Sequence, residues 1–230
     1  MSPGREDADN GTGATLRAAV YDELRHRLIT GRIAPGVPIS TRGIAQQLGV
    51  SQMPVRDALS RLAAEGAVAI RSKRSITVPP PTAARLDEIM RARLLLEPEA
   101  AAQALPFLDG AALDRLRAAD AALDAALARG DLHGYMESNS RFHFLIYGAR
   151  PESLLARIIE TLWMQFGPLM RAVYARVDTS HLTDQHARAI DAIARRSEPA
   201  LRAAIAADIA DGMALIGDID PGRGLAGIGA

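Results

Sequence analysis

The 230-residue chain contains no cysteine. That excludes disulfides, thiolate metal sites and cysteine nucleophiles. Aromatic residues are scarce, at 4%, while alanine is abundant, a composition that favours helices packed closely through small side chains. No apolar run reaches the roughly 18 uninterrupted residues that a membrane helix needs. The opening stretch MSPGREDADNGTG is polar and acidic and has no hydrophobic signal core. Net charge is also missing: 27 Lys+Arg balance 27 Asp+Glu, so the chain as a whole does not advertise a polyanionic partner. The expectation is a cytoplasmic protein that does not associate with membranes, with residues 1–13 as a disordered lead-in.

What is present is unevenly placed. Hydrophobic residues make up 48% of the chain, enough for a sizeable core. Residues 1–80 carry eleven Lys+Arg against seven Asp+Glu, and residues 81–230 carry sixteen against twenty. A basic front and an acidic rear imply two modules with different partners. Between them lies Pro79-Pro80-Pro81, a stiff extended spacer. The expected division is a domain over 14–79, a linker over 80–83, a second domain over 84–218 and a flexible tail over 219–230.

In the front module, Leu16, Val20, Leu24 and Leu28 share one helical stripe. Gly31 ends that helix, and Pro35-Gly36 marks a turn. Thr41 caps a short second helix, which Gly49 terminates, and Ser51 caps a third. Pro54 is tolerated in the opening of that third helix because N–H groups there lack intrahelical partners. The runs VAIR and SITVP, joined by Ser72-Lys73-Arg74, predict a β-hairpin. Helix, tight turn and helix is the helix-turn-helix arrangement, whose second helix enters the major groove N-terminus first. Gln52 and Arg56 then project from the leading turns. The helix start at Ser51 suits a phosphate, and Lys73-Arg74 forms a basic wing. The rear module predicts helices near 83–104, 110–128, 131–148, 152–176, 180–196 and 198–216. The fold class is therefore mainly α: a winged helix-turn-helix with a small β-hairpin, followed by an antiparallel all-α bundle.

The stretch from LRAAVYDELRHRLITGRIAPGVPIS through TRGIAQQLGVSQMPVRDALSRLAAEGAV resembles the DNA-binding domain of GntR-type bacterial transcription regulators over roughly residues 15–79. The PG turn, the LGVS turn, the PVR-D-AL helix and the EG before the wing occur in the family's order. The resemblance implies that Arg42 and Arg56 contact operator DNA, Arg42 at phosphate or groove edge and Arg56 at guanine or phosphate. Gln52 and Met53 fall at positions that vary among members, and Gln52 can hydrogen-bond a base such as adenine. The wing departs from the family, because Ser72-Lys73-Arg74-Ser75 lacks the usual glycine.

The rear half resembles the FCD effector domain of the FadR subfamily, on IMRARLLLEPEAAAQA, NSRFHFLIYGA and DQHARAIDAIA. A count of six helices points to the VanR-like group. Asn139 and His143, four apart, point the same way from one helix, and His186 lies on a later one. In the family, an acid or amide, a histidine four residues on and two later histidines bind a divalent metal within the bundle. The resemblance thus implies a ligand set of Asn139, His143, His186 and Asp208, with Asp208 standing where histidine is usual. Two nitrogens and two oxygens suit zinc, nickel or manganese. The alternative is a branch without metal, whose cavity holds an organic effector through polar side chains. Arg93 either pairs with a carboxylate effector or forms an ion pair with Glu97. Tyr135, Arg141, Trp163, Met164 and Phe166 are candidate cavity residues. His26, His133 and His181 read as surface histidines.

These features imply a transcriptional regulator, a repressor rather than an activator, that binds a palindromic double-stranded DNA operator as a homodimer and is released by a small organic acid. Two rival readings remain at this level. One is a metal-dependent hydrolase that uses the Asn/His/His/Asp set, and the other is an architectural DNA-binding protein without an effector.

Overall fold

The computed structural model describes residues 6–72, 75–80, 82–174 and 185–217. Helix α1 spans Glu6–Ile29, α2 Thr41–Leu48 and α3 Gln52–Ala64, followed by strands β1 (Ala69–Ser72) and β2 (Ser75–Thr77). The rear half holds α4 (Ala83–Ala104), α5 (Gly110–Ala128), α6 (Leu132–Tyr147), α7 (Leu154–Tyr174), α8 (Gln185–Ala194) and α9 (Glu198–Gly217), with a 3-10 turn at Leu105–Phe107 after α4. No helix among the described residues is long and apolar enough to cross a membrane.

Val20, Leu24 and Leu28 of α1 are buried as their spacing predicts, and they pack with Val55, Leu59 and Leu62 of α3 in the core. Leu16 departs from that stripe and is 43% exposed. Helix α1 also begins at Glu6, so the expected lead-in over 1–13 falls partly on a helix. The second helix is capped by Ser40 rather than Thr41: the Ser40 hydroxyl accepts from the Gly43 N–H at 3.0 Å. Gly49 closes α2 with φ +66°, a left-handed conformation that glycine adopts without a Cβ penalty. The antiparallel hairpin pairs Ala69 with Thr77 and Ile70 with Ile76. The Pro35-Gly36 turn lies beside it, with Gly36 N–H donating to Val78 O and Ile39 N–H to Ile76 O. Lys73, Arg74 and His181, together with the tail beyond residue 217, lie outside the described residues.

In the rear half, short polar residues start the helices. Thr82, Asp109 and Asp131 accept from the N–H groups of Arg85, Ala112 and Gly134. Their side chains satisfy donors that have no intrahelical partner. Alanine at the contacts lets helices approach closely: Ala100, Ala101 and Ala104 of α4 and Ala204 of α9 are all nearly fully buried.

The two halves meet through α1. Its C-terminal carbonyls lie against α7 at Gly167, where a Cβ would sit 2.2 Å from the Ile29 oxygen. Arg25 pairs with Glu160 of α7 at 2.7 Å, and His26 with Glu137 of α6 at 3.0 Å. Just past α1, Arg32 reaches His133 and Glu137 of α6. His26 and His133 thus stay at the surface, but both join the two halves.

Candidate nucleic-acid interface and effector cavity

Helix α3 divides cleanly. Pro54, Val55, Ala58, Leu59 and Leu62 are buried. Gln52, Met53 and Arg56 are exposed, as is Arg42 on α2. Met53 keeps 64% of its surface, although an apolar side chain gains nothing from water there. Arg56 donates to the Gln52 side-chain oxygen at 3.3 Å, so the two form one polar ridge. Ser51 occupies the N-cap position in extended conformation, but its hydroxyl makes no capping bond. The expected cap is therefore absent, and the first N–H groups of α3 keep their capacity for an anion.

Within the bundle, a cavity of about 170 Å³ lies among α4 to α9. Three of the four expected ligands converge on it: His143 Nε2 lies 3.2 Å from Asp208 Oδ2, His186 Nε2 lies 3.7 Å from Asp208 Oδ1, and the two Nε2 atoms are 3.4 Å apart. Asn139, one turn before His143, lines the same cavity, is only 8% exposed and has no hydrogen-bond partner among the described residues.

The surrounding hydrogen bonds decide which ring nitrogens carry protons. Burial and the adjacent Glu97 carboxylate push the Tyr147 hydroxyl well above its usual pKa, so it stays protonated. It donates to Glu97 Oε2 at 2.8 Å, and can therefore only accept from His143 Nδ1, 3.0 Å away. His186 Nδ1 faces Asp120 Oδ1 at 3.1 Å, again the donor's position. Both Nε2 lone pairs then point at each other and at a carboxylate. Three acceptors facing one another are stable only with a cation among them, either a proton on one imidazole or a metal. Tetrahedral bonds of about 2.0–2.2 Å imply ligand–ligand edges of roughly 3.3–3.6 Å, close to the three observed separations. The carboxylate and phenol behind the imidazoles supply the orienting partners that metal-binding histidines ordinarily have. The donor set thus fits a divalent cation. Asp208 itself is held at a pKa of about 2; burial opposes its charge, but positive charge on the facing His143 and His186, together with the Arg93 guanidinium, more than offsets that.

Arg93 pairs with Glu97. It is 3% exposed, and its Nε donates to Glu97 Oε1 at 2.6 Å. Burial alone would lower its pKa, yet the carboxylate holds it above the ordinary arginine value. Its guanidinium also lies 4.0 Å from the Phe166 ring centroid and still borders the cavity. Glu97 receives a third donor, Trp163 Nε1, at 3.1 Å. Of the other expected lining residues, Tyr135 and Phe166 border the cavity. Trp163 and Met164 are core. Arg141 is exposed and belongs to the outer surface.

Sequence reasoning missed Asp120, Tyr147 and Asp211. Asp120 and Asp211 were legible only as ordinary helical charges, and Tyr147 carried one usable signal, its position one turn after His143.

Comparison with known proteins agrees with this layout. Residues 16–78 match the family model described as bacterial regulatory proteins, gntR family, and residues 88–211 match the FCD domain. The chain is 33% identical over 178 residues to the HTH-type transcriptional regulator McbR of Escherichia coli (strain K12), covering 76% of this chain and 80% of that one. It is 25% identical over 182 residues to a probable D-xylose utilization operon transcriptional repressor of Paenarthrobacter nicotinovorans, covering 79% and 80%. The solved structure of E. coli McbR/YncC superposes with a TM-score of 0.82 at 29% identity, covering 89% of this chain and 99% of that one. These relatives are transcription regulators and not enzymes, which removes the hydrolase reading of the His/Asp cluster. The chain belongs to the GntR family of bacterial transcriptional regulators, with a winged helix-turn-helix in front and an FCD effector domain behind.

Proposed function

We propose that the protein is a repressor that binds a palindromic operator as a homodimer and leaves it when a small carboxylate-bearing metabolite enters the FCD cavity. A single recognition helix reads only a half-site, so two copies related by a twofold axis suit a palindrome. Arg56 and Gln52 read base edges in the major groove, with Met53 against them. Arg42 and the α3 N-terminus at Ser51 hold phosphates, and Lys73 and Arg74 supply the wing. A relative named as a repressor supports the sign of regulation.

His143, His186 and Asp208, with Asn139 beside them, hold a divalent cation such as zinc, nickel or manganese. When bound, that ion supplies open coordination positions to a carboxylate. The chain's own residues then transmit occupancy.

One observation carries this coupling: α6 and α7 each touch both the cavity and α1. On α6, His133 and Glu137 contact the α1 side, and Asn139 and His143 follow within two turns. On α7, Phe166 and Met170 line the cavity, while Gly167 and Arg171 abut the end of α1 and Gly31. A ligand that repositions either helix must move α1 or strain that junction. The effector shifts the population by binding the DNA-incompetent arrangement more tightly.

The test is selection of duplexes from a random pool, followed by fluorescence anisotropy on the enriched sequence. A palindrome should emerge, and Arg56→Ala should weaken binding about tenfold or more. A non-repeating site, or unchanged affinity in Arg56→Ala, would contradict the reading. A selected pool with no sequence preference would favour an architectural protein.

A further inference from the structure

The charges around the cavity constrain what can occupy it. Four carboxylates border it: Asp120 and Asp124 on α5, and Asp208 and Asp211 on α9. The only guanidinium bordering it among the described residues, that of Arg93, is already committed to Glu97. A divalent cation at the His143/His186/Asp208 end lies beside Asp120 and Asp208, and the Asp211 carboxylate still borders the rest of the cavity. A ligand that brought only negative charge would find no counter-charge beyond the metal position.

Of the four carboxylates, Asp124 is exposed, while Asp120, Asp208 and Asp211 are half-buried. Asp211 lies one helical turn beyond Asp208, on the same face of α9. Asp211 accepts from the Gln185 side-chain amide at 2.8 Å, a neutral donor that leaves its charge uncompensated by that contact. Asn139, more than nine-tenths buried and without a hydrogen-bond partner among the described residues, also faces the cavity. Its amide presents both a donor and an acceptor to an occupant. The volume of about 170 Å³ is close to that of an engineered cavity of about 150 Å³ that admits benzene, so the occupant is small.

We infer that the effector is a small amino-acid-type zwitterion, whose carboxylate meets the His143/His186/Asp208 end and whose ammonium is held by Asp211 on the acidic wall. This rests on the carboxylate-and-cation reading proposed above and adds the second half of the ligand. The Cβ atoms of residues one turn apart on a helix face are roughly 5–6 Å apart. The amine therefore belongs a few bonds from the carboxylate, and the ligand spans from one aspartate to the next.

The test uses the full-length protein loaded with zinc and isothermal titration calorimetry. The probes are matched pairs: alanine against propionate, 4-aminobutyrate against butyrate and 5-aminovalerate against valerate. At least one amino compound should bind about tenfold or more tighter than its partner, as expected for a charge-assisted hydrogen bond. Asp211→Asn, with zinc content measured in both proteins, should abolish that preference. The inference is overturned if the plain carboxylates bind as tightly as their amino partners, if the preference survives in Asp211→Asn, or if no probe binds the zinc-loaded protein. In each of those cases one zinc per chain would leave the cation site standing. Failure to take up zinc at all would instead strike the underlying reading, and the zwitterion with it.

Discussion

Gly167→Ala sets two effects of opposite sign against each other. In the interior of α7, alanine is favoured over glycine by about 1 kcal/mol, because it loses less backbone freedom on folding. The new Cβ, however, would lie 2.2 Å from the Ile29 oxygen, 2.5 Å from the Leu28 oxygen and 2.7 Å from the Ile29 carbonyl carbon. Real Cβ contacts essentially never fall below 3.0 Å, so α1 and α7 must separate by at least about 0.8 Å. All three obstructing atoms are backbone, which cannot swing aside as a side chain can. Overpacking of this kind costs about 1–3 kcal/mol, and this site belongs at the upper end. The net loss is about 1–2 kcal/mol. At roughly 2–4 °C per kcal/mol for a chain of this length, the melting temperature should fall by about 2–8 °C. Thermal unfolding followed by circular dichroism measures it, beside Gly110→Ala, where an added Cβ meets nothing within 4 Å. Gly110→Ala should melt at or slightly above the parent. A Gly167→Ala protein that melts at or above the parent would show that α1 and α7 do not meet so closely, and would remove the junction on which the coupling rests.

Two further outcomes are expected. Asp120→Ala deprives His186 Nδ1 of its acceptor at 3.1 Å and should lower divalent-cation affinity about 10–100-fold by competition with a chelating dye, the range for lost orienting partners; unchanged affinity would mean that Asp120 does not fix the ring. The Asp208 pKa, held near 2 against an ordinary 3.8, makes metal-free stability fall as pH drops from about 4 towards 2. A depressed carboxylate stabilises the fold above its unfolded pKa and loses that contribution on protonation, so urea midpoints of Asp208→Asn should depend less steeply on pH across that window than those of the parent.

Much of the chain was legible from periodicity and punctuation. Five of the six rear helices lie close to their expected spans, because Pro, Gly and capping aspartates mark local chemistry that does not depend on distant partners; of the sixth, expected over 180–196, residues 180–184 lie outside the described residues and α8 covers Gln185–Ala194. The cap of α2 was misassigned by one residue for the same local reason. Ser40 and Thr41 are both competent caps, and only backbone geometry separates them. The site was half legible. The spacing of Asn139 and His143 gave their shared face, and the FCD resemblance placed His186 and Asp208. Tyr147, Asp120 and the threefold use of Glu97 depend on contacts among α4, α5, α6, α7 and α8, which no sequence window contains. Arg93 is the instructive case: of its two foreseen partners the structure shows the Glu97 bond, at 2.6 Å, and the side chain borders the cavity as well. Gly167 carried no warning, since a glycine before a proline reads as a helix irregularity rather than as room for another helix's backbone.

The central claim is that three acceptor atoms, on His143, His186 and Asp208, meet around a divalent cation that completes the effector cavity. Elemental analysis of untagged, dialysed protein beside His143→Ala tests it most directly. The account predicts about one zinc, nickel or manganese per chain in the parent and none in the variant. No metal in either protein, even after incubation with each ion and removal of the excess, would contradict it and leave a protonated imidazole as the cation that holds the three groups together.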